Sequence, residues 1–318
     1  LTETPVVVIA YNRPDKVRRL ITRLSTLKPP TIIFAVDGPK PGRQEDELKV
    51  QEVRSLVELI NWTDRVETRF QPTNLGLRTA VTDVVSHAVS LHGQAIIMEE
   101  DTLPGANWFP YAREMLERHR DNSRIEHISG YNLVPQRFLS NGLEGSRLTR
   151  YPESIAWATW DRAWDKFDGS LDWALNASVA ELARIVGSRA GALRWKQNFA
   201  DAEANRISTW AYRWIASLWS RDSFVLSPNQ NLVTYAGYDA GTHTLMKAPW
   251  SELSLYEGDL RQSLSGTADL DPRADEWVGK RVFAENPFGV ARGVAITAAL
   301  AARKMNRNRR VLAQRGLS

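Results

Sequence analysis

Gln94-Ala-Ile-Ile-Met-Glu-Glu-Asp101 is a short apolar run that ends abruptly in three carboxylates. A run of this length reads as a strand buried on both faces, the kind that parallel sheets contain. In open α/β sheets, ligands bind just outside the carboxyl ends of such strands. Carboxylates placed there suit a hard divalent cation, Mn²⁺ or Mg²⁺, and that cation suits a diphosphate. Strand alternation would put Glu99 and Asp101 on one face and Glu100 on the other. Taken alone, an acidic run is more often a solvated turn, so the surrounding sequence has to decide.

Upstream, strand and helix patterns alternate. Pro5-Val-Val-Val-Ile-Ala10 is a β-branched run broken by Tyr11-Asn-Arg-Pro14, and Val17, Leu20, Ile21 and Leu24 then recur at helical spacing. Residues 31–36 form a second strand pattern closed by Asp37-Gly-Pro39. Val50, Val53, Leu56, Val57 and Ile60 mark a second helix, and Val66–Phe70 a third strand. The turn Asn74-Leu-Gly76 leads through a helical pattern at Ala80, Val84, Val85 and Ala88 into the acid-tipped strand. This alternation predicts an α/β fold with a doubly wound, mostly parallel central sheet. Neither G-x-G-x-x-G nor the phosphate-binding G-x-x-x-x-G-K-[ST] occurs.

Beyond Asp101 the pattern is mixed. Residues 108–119 read as an amphipathic helix and Ile125–Ser129 as a strand, with a polar loop over 132–153. Trp157, Trp160 and Trp164 read as one helical face or a turn entering a helix, and Trp210, Trp214 and Trp219 as a second helix. Phe224–Pro228 and Asn231–Tyr235 are late strands. No repeat or linker stands out, so one continuous domain is expected.

The 318 residues suffice for one large or two smaller domains, and 43% apolar with 25% charged residues is ordinary for a folded protein. The absence of cysteine excludes disulfides and thiolate metal ligands. The opening Leu1-Thr-Glu-Thr-Pro5 shows no signal-peptide pattern, and no apolar run approaches a bilayer span. Of twelve tryptophans, nine fall between Trp157 and Trp250, which sets the second half apart from the first.

Several residues are placed to do chemistry. Asp37, ending its strand, could accept hydrogen bonds from a ribose or base, although Asp before Gly-Pro is also a plain turn former. Tyr11, Asn12 and Arg13 end the first strand, with Arg13 a phosphate partner. Asn74 and Arg78 flank a helix start, where anions are favoured. His243, in Gly241-Thr-His-Thr244, is the natural second ligand for a manganese-like ion, one of only five histidines. Trp157 and Trp160 are the candidates for stacking on an acceptor sugar, while most tryptophans pack the core. The tail Arg303–Arg315 carries six basic residues and no acid, after an Ala- and Val-rich helical stretch. It reads as a surface anchor for an anionic membrane, or as a frayed terminal helix. Nucleic acid is disfavoured because no basic stripe matches it elsewhere.

In order, Pro5–Pro14, Ala35-Val-Asp-Gly-Pro39, Asn74-Leu-Gly76, Met98-Glu-Glu-Asp101, Ile128-Ser-Gly130, Trp157–Trp160, Trp210–Trp214 and Gly241–Thr244 resemble bacterial family 2-like glycosyltransferases of the GT-A fold. The resemblance includes the hemolytic-protein-like group, and the acidic tip also resembles the Glu-Asp-Asp motif of N-acetylglucosaminyltransferase I. The resemblance covers residues 5 to about 245. It implies a GT-A domain over 1–250, with a nucleotide-binding half at 1–102 and an acceptor half at 103–250, then a C-terminal helical extension at 251–318. It further implies that Asp37 contacts the base or ribose, with Tyr11, Asn12, Arg13, Asn74, Arg78, Glu99 and Glu100 around the nucleotide-sugar, UDP-linked for preference. Asp101 and His243 would hold the metal ion.

The resemblance also implies inversion at the anomeric centre, which needs a carboxylate base. Many relatives carry Asp in or just before the Trp210 motif, where this chain reads Ser208-Thr-Trp-Ala-Tyr-Arg-Trp214. Ser208 and Ala211 cannot serve. Asp161 is the expected base; Asp201 and Glu203 are also nearby in sequence, and Glu100 lies beside the metal-bearing strand. The expected activity is transfer of a sugar to a polysaccharide or lipid-linked glycan at the cytoplasmic face of the plasma membrane. The alternatives are a non-catalytic carbohydrate-binding protein and a sugar-phosphate nucleotidyltransferase.

Overall fold

The sheet is built around four parallel strands whose order reverses once. In a computed structural model that describes residues 4–207, 209–235, 253–266 and 268–294, the chain opens with β1 (Val6–Ala10), α1 (Pro14–Leu27), β2 (Ile32–Val36), α2 (Gln44–Ser55), β3 (Val66–Phe70), α3 (Leu77–His92) and β4 (Gln94–Glu99). Pro14 at the first helical turn presets the backbone for α1, which buries Val17, Leu20, Ile21 and Leu24. Gly76 and Gly93, both at positive φ, bound α3. Strands β1, β2 and β4 are apolar along nearly their whole length and buried on both faces, as a covered parallel sheet demands.

After β5 (Thr102–Pro104) and α4 (Trp108–Arg118) come β6 (Ile125–Ser129), β7 (Ser146–Thr149), β8 (Ala156–Trp160) and α5 (Asp161–Trp164). The helices α6 (Asp172–Asn176), α7 (Val179–Val186), α8 (Arg189–Glu203) and α9 (Ala211–Ser220) precede β9 (Phe224–Pro228), β10 (Val233–Tyr235), α10 (Leu260–Leu264) and α11 (Pro272–Arg281). The sheet order is β3-β2-β1-β4-β8-β6-β9-β7, with β7 and β8 running against the other six. The mixed α/β architecture with a mostly parallel eight-stranded sheet is the expected one, and its topology is consistent with a GT-A, Rossmann-like fold. From β1 the chain moves outward to β3, then α3 returns it to the far side of β1, so the winding reverses between β1 and β4. That reversal opens a crevice at the carboxyl ends of these two strands.

Two segments do not join this sheet. The described residues of Ser170–Ser208 and Glu276–Ser318 form a compact helical unit of their own, separate from the unit of Leu1–Gly169 and Thr209–Asp275. Within it, α7 opens on a reciprocal capping box between Ser178 and Glu181, and α8 buries Trp195 and Phe199. A linear reading placed one boundary near 250; this unit is assembled from two distant stretches, with no linker to mark either. Among the described residues, no helix is long and apolar enough to cross a membrane.

The core of the sheet-bearing unit is aromatic around one histidine. His127 stacks on Trp157 at 5.0 Å between ring centroids, and Trp157 also packs on Trp164, Trp210 and Trp214. Trp214 Nε1 donates to His127 Nδ1 (3.1 Å), and His127 Nε2 lies 3.3 Å from the Glu153 carbonyl, which can only accept. The ring is therefore the neutral Nε2–H tautomer, and burial lowers its pKa to about 3. Between about pH 6.5 and 3 the unfolded chain binds a proton here that the folded chain refuses, so this term stabilises at neutral pH and is lost on acidification. Wild type should therefore lose stability relative to His127→Gln as the pH falls from 7 to 4, measured as paired melting temperatures. A difference that does not move with pH would show that His127 is not buried as a neutral ring.

Candidate active site

Three strand tips converge at the crevice. Beyond β4 the strand alternation stops: Glu100 and Asp101 lie in a turn, and the Glu100 N–H bonds to the Ile9 carbonyl at 3.0 Å. The alternation argument therefore fails past Glu99. Glu100 and Asp101 instead face one cation, with Arg13 Nη1 at 3.8 and 3.6 Å from their carboxylate oxygens. Burial first, then the Asp101 charge, pushes Glu100 up to about 7. Burial with the Asp101 and Glu100 charges pushes Glu99 to about 8, against a hydrogen bond from the Trp210 side chain. Asp101 is likewise raised by burial, while Lys16, Arg13 and a hydrogen bond from Tyr235 oppose the shift. Tyr235 is in reach because β10 pairs antiparallel with β5, setting it opposite Thr102.

Asp37 is placed as expected at the end of β2, but its carboxylate is already engaged. Oδ1 accepts from the Gly38 and Leu75 N–H groups (both 2.8 Å), and Oδ2 from Asn74 Nδ2 (2.9 Å) and the Gly76 N–H (3.1 Å). Four donors use its lone pairs, so in this state Asp37 clamps the 74–76 turn rather than offering itself to a ribose. Asn74 is spent in the same clamp, donating also to the Gly38 carbonyl. Gly38 lies so close to Thr73 that a Cβ would sit 2.2 Å from its carbonyl carbon. Arg78, on the first turn of α3, is exposed.

A carboxylate that the sequence reading passed over organises the other side of the crevice. Asp46, on the first turn of α2, accepts from Tyr11 Oη and Asn12 Nδ2 (both 2.5 Å) and from the Lys40 N–H (2.7 Å). Burial would raise its pKa, but these hydrogen bonds outweigh burial and hold it below the usual range. Burial and the bond to Asp46 push the Tyr11 phenol up, so it stays a donor. Beside this node opens a cavity of about 370 Å³ lined by Asn12, Arg43, Gln44, Glu45, Asp46 and Lys49. The only sequence signal for Asp46 was its place in an acidic first helical turn, Glu45-Asp46-Glu47.

The acceptor-side expectations need correction. Trp157 and Trp160 lie on strand β8, not on a helix or loop, and both are buried. Trp160 donates to the Leu116 carbonyl at 3.0 Å under the Arg162 guanidinium, and Trp157 belongs to the aromatic core, so neither presents a face to a sugar. Asp161 is at the wrong end of the sheet. Strand β8 runs against β4, pairing Trp160 with Gln94, and the Asp161 N–H bonds to the Gly93 carbonyl (2.9 Å). Five residues of strand, roughly 17 Å, separate that position from Glu99. Asp201 belongs to the helical unit, where it accepts from Arg206 Nε at 2.7 Å. His243, Ser208 and the basic tail lie outside the described residues.

The same register brings a different carboxylate to the right end. Ala156, the first residue of β8, pairs with Met98, so the loop that precedes β8 lies at the same end of the sheet as the acidic tip of β4. Glu153 is fixed there by its own N–H to Ser129 Oγ (3.2 Å) and by its carbonyl to His127. Burial raises its side chain to about 8 against the attraction of Arg147.

A hard cation would find oxygen donors of the right kind in Glu100 and Asp101. Both are desolvated and raised, so a positive charge would relieve them, and Mg²⁺-type sites often use one or two carboxylates plus substrate phosphates. Among the described residues, no three His, Asp or Glu side chains gather as a ready-made metal cage.

No protein-family model and no curated protein matches the chain. Among solved structures, HddC from Yersinia pseudotuberculosis is similar at 15% identity, covering 55% of this chain and 87% of that chain with a TM-score of 0.31. Mouse xyloside xylosyltransferase 1 in its apo form is similar at 9% identity, covering 69% and 82% respectively, with a TM-score of 0.35. Likenesses this loose assign no family, and the functional reading rests on the chain's own site.

The clamp role of Asp37 is open to a direct check. Asp37→Ala should destabilise the fold by about 2–4 kcal/mol, since it orphans one buried and three part-buried donors, with Asp37→Asn in between, as read by denaturant unfolding. An alanine variant as stable as wild type that fails only in ligand binding would make Asp37 a ligand contact instead.

Proposed function

We propose that this protein is a glycosyltransferase that takes a sugar from a nucleoside-diphosphate donor bound across the β1–β4 crevice. The observation that carries the reading is the acidic tip of β4 set beside the cationic tip of β1, at the point where the strand order reverses. Arg13 and Lys16 supply positive charge for a diphosphate, and the Asp46-anchored Tyr11 and Asn12 form a fixed wall for the nucleoside in the adjoining cavity. A divalent ion held by Glu100 and Asp101 would act as a Lewis acid on the departing diphosphate. The donor is a nucleotide-sugar, UDP-linked for preference, and the acceptor a glycan or lipid-linked glycan. The basic segment 303–315 suits an anionic membrane surface.

The reaction implied by the resemblance is a single displacement with inversion, through an oxocarbenium-like transition state. It needs a base on the acceptor side, and Glu153 replaces Asp161 in that role. Support comes from its place just before β8, at the end of the sheet that carries the β4 tip, and from a pKa raised to about 8, close to where a general base works best. Turnover would then rise with pH up to about 8, as Glu153 loses its proton.

Calorimetric titration with UDP, GDP, dTDP and CMP, with Mn²⁺ and again with EDTA, tests donor binding. One nucleotide should bind in preference. Glu153→Gln should leave that affinity unchanged while lowering transfer about 10²–10⁴-fold. Absence of binding by all four nucleotides would remove the transferase reading. Full transfer by the Gln variant would remove Glu153 as the base.

A further inference from the structure

The charges at the β4 tip are balanced internally. Glu100 and Asp101 are only 13% and 11% exposed at their side chains, and the Arg13 guanidinium stands within 4 Å of both. Arg13 immediately precedes α1, and Lys16 follows one turn inside it, adding a second positive charge that acts on both carboxylates. A metal ion and a guanidinium cannot both take these carboxylates at close range, because like charges in a poorly hydrated site repel strongly.

We propose that Arg13 is a resident counter-cation that excludes a divalent ion from Glu100 and Asp101 until a diphosphate draws the guanidinium away. The inference rests on the donor-site reading above and adds an order to it. In the free protein Arg13 satisfies the carboxylates and divalent affinity is weak. A bound diphosphate would offer Arg13 a bidentate partner of higher charge, leaving Glu100 and Asp101 as the residues that would hold the ion. Arg13 is thus a positioning residue with two partners. Metal and nucleotide each tighten the other's binding by the same factor, as linkage requires. A coupling of about 5–150-fold is the usual range for such linked sites.

The test measures Mn²⁺ binding to the full chain, by electron paramagnetic resonance of the free ion, with and without UDP. Wild type should bind Mn²⁺ weakly alone and at least fivefold more tightly with UDP. Arg13→Gln should bind Mn²⁺ alone about tenfold more tightly than wild type, and the gain on adding UDP should shrink. Arg13→Lys, which keeps the charge, should return towards wild type, a recovery that loss of structure would not give. Mn²⁺ affinity unchanged or weakened in Arg13→Gln would overturn the proposal, as would failure of every form to bind Mn²⁺. UDP binding that ignores Mn²⁺ in all three proteins would also overturn it and leave the donor site standing. Tighter Mn²⁺ binding by Arg13→Gln with no UDP binding by any form would support exclusion of the ion by Arg13 but sink the donor-site reading, and with it the displacement of Arg13 by a diphosphate.

Discussion

Carboxylates crowded at the end of a buried strand repel one another and resist losing water, and the candidate site is organised around answering that problem. Glu99 ends β4 and Glu100 and Asp101 follow it where the sheet no longer pairs them, and burial raises all three. Each is met by a donor or cation from another part of the chain: Trp210 from the start of α9, Arg13 from the end of β1, Tyr235 from β10. Such an arrangement spends folding free energy on groups that pack no core. Perturbed carboxylates gathered in a crevice are what a site for charged ligands looks like.

The rest of the fold brings those partners together. Parallel pairing of β1 with β4 sets Ile9 beside Glu99 and so delivers Arg13 to the acidic turn. The short β5–β10 ribbon returns Tyr235 to the residue after Asp101. On the far side, Asp37 and Asp46 act as internal struts. One ties the 74–76 turn to β2, and the other ties α2 to the tip of β1. One ends a strand and the other opens a helix, yet the lone pairs of both carboxylates serve backbone and side-chain donors of the chain itself.

The first hundred residues were legible because their signals are local. Apolar runs, turn residues and helical spacing each report on the element that contains them, and β1 to β4 fall within a residue or two of the expected bounds. The second half was not legible in the same way. Strand β8 reverses direction between two parallel neighbours, and only that pairing shows that Trp160 and Asp161 lie at the end of the sheet away from the crevice while Glu153 precedes β8 at the crevice end. Tryptophans at spacings of three and four suggested a helical face, but Trp157 and Trp160 sit on opposite sides of a strand, each packed within the fold. Asp46 was invisible for a simpler reason: an acidic first helical turn is common, and nothing in it says which acid turns inward.

The most direct measurement is hydrogen exchange of the full chain, with and without the nucleoside diphosphate that binds best. Protection should concentrate at residues 10–16, 39–49 and 99–103, the tips and loops around the β1–β4 crevice. Protection confined to other parts of the chain, with these three stretches exchanging as before, would contradict the placement of the donor site.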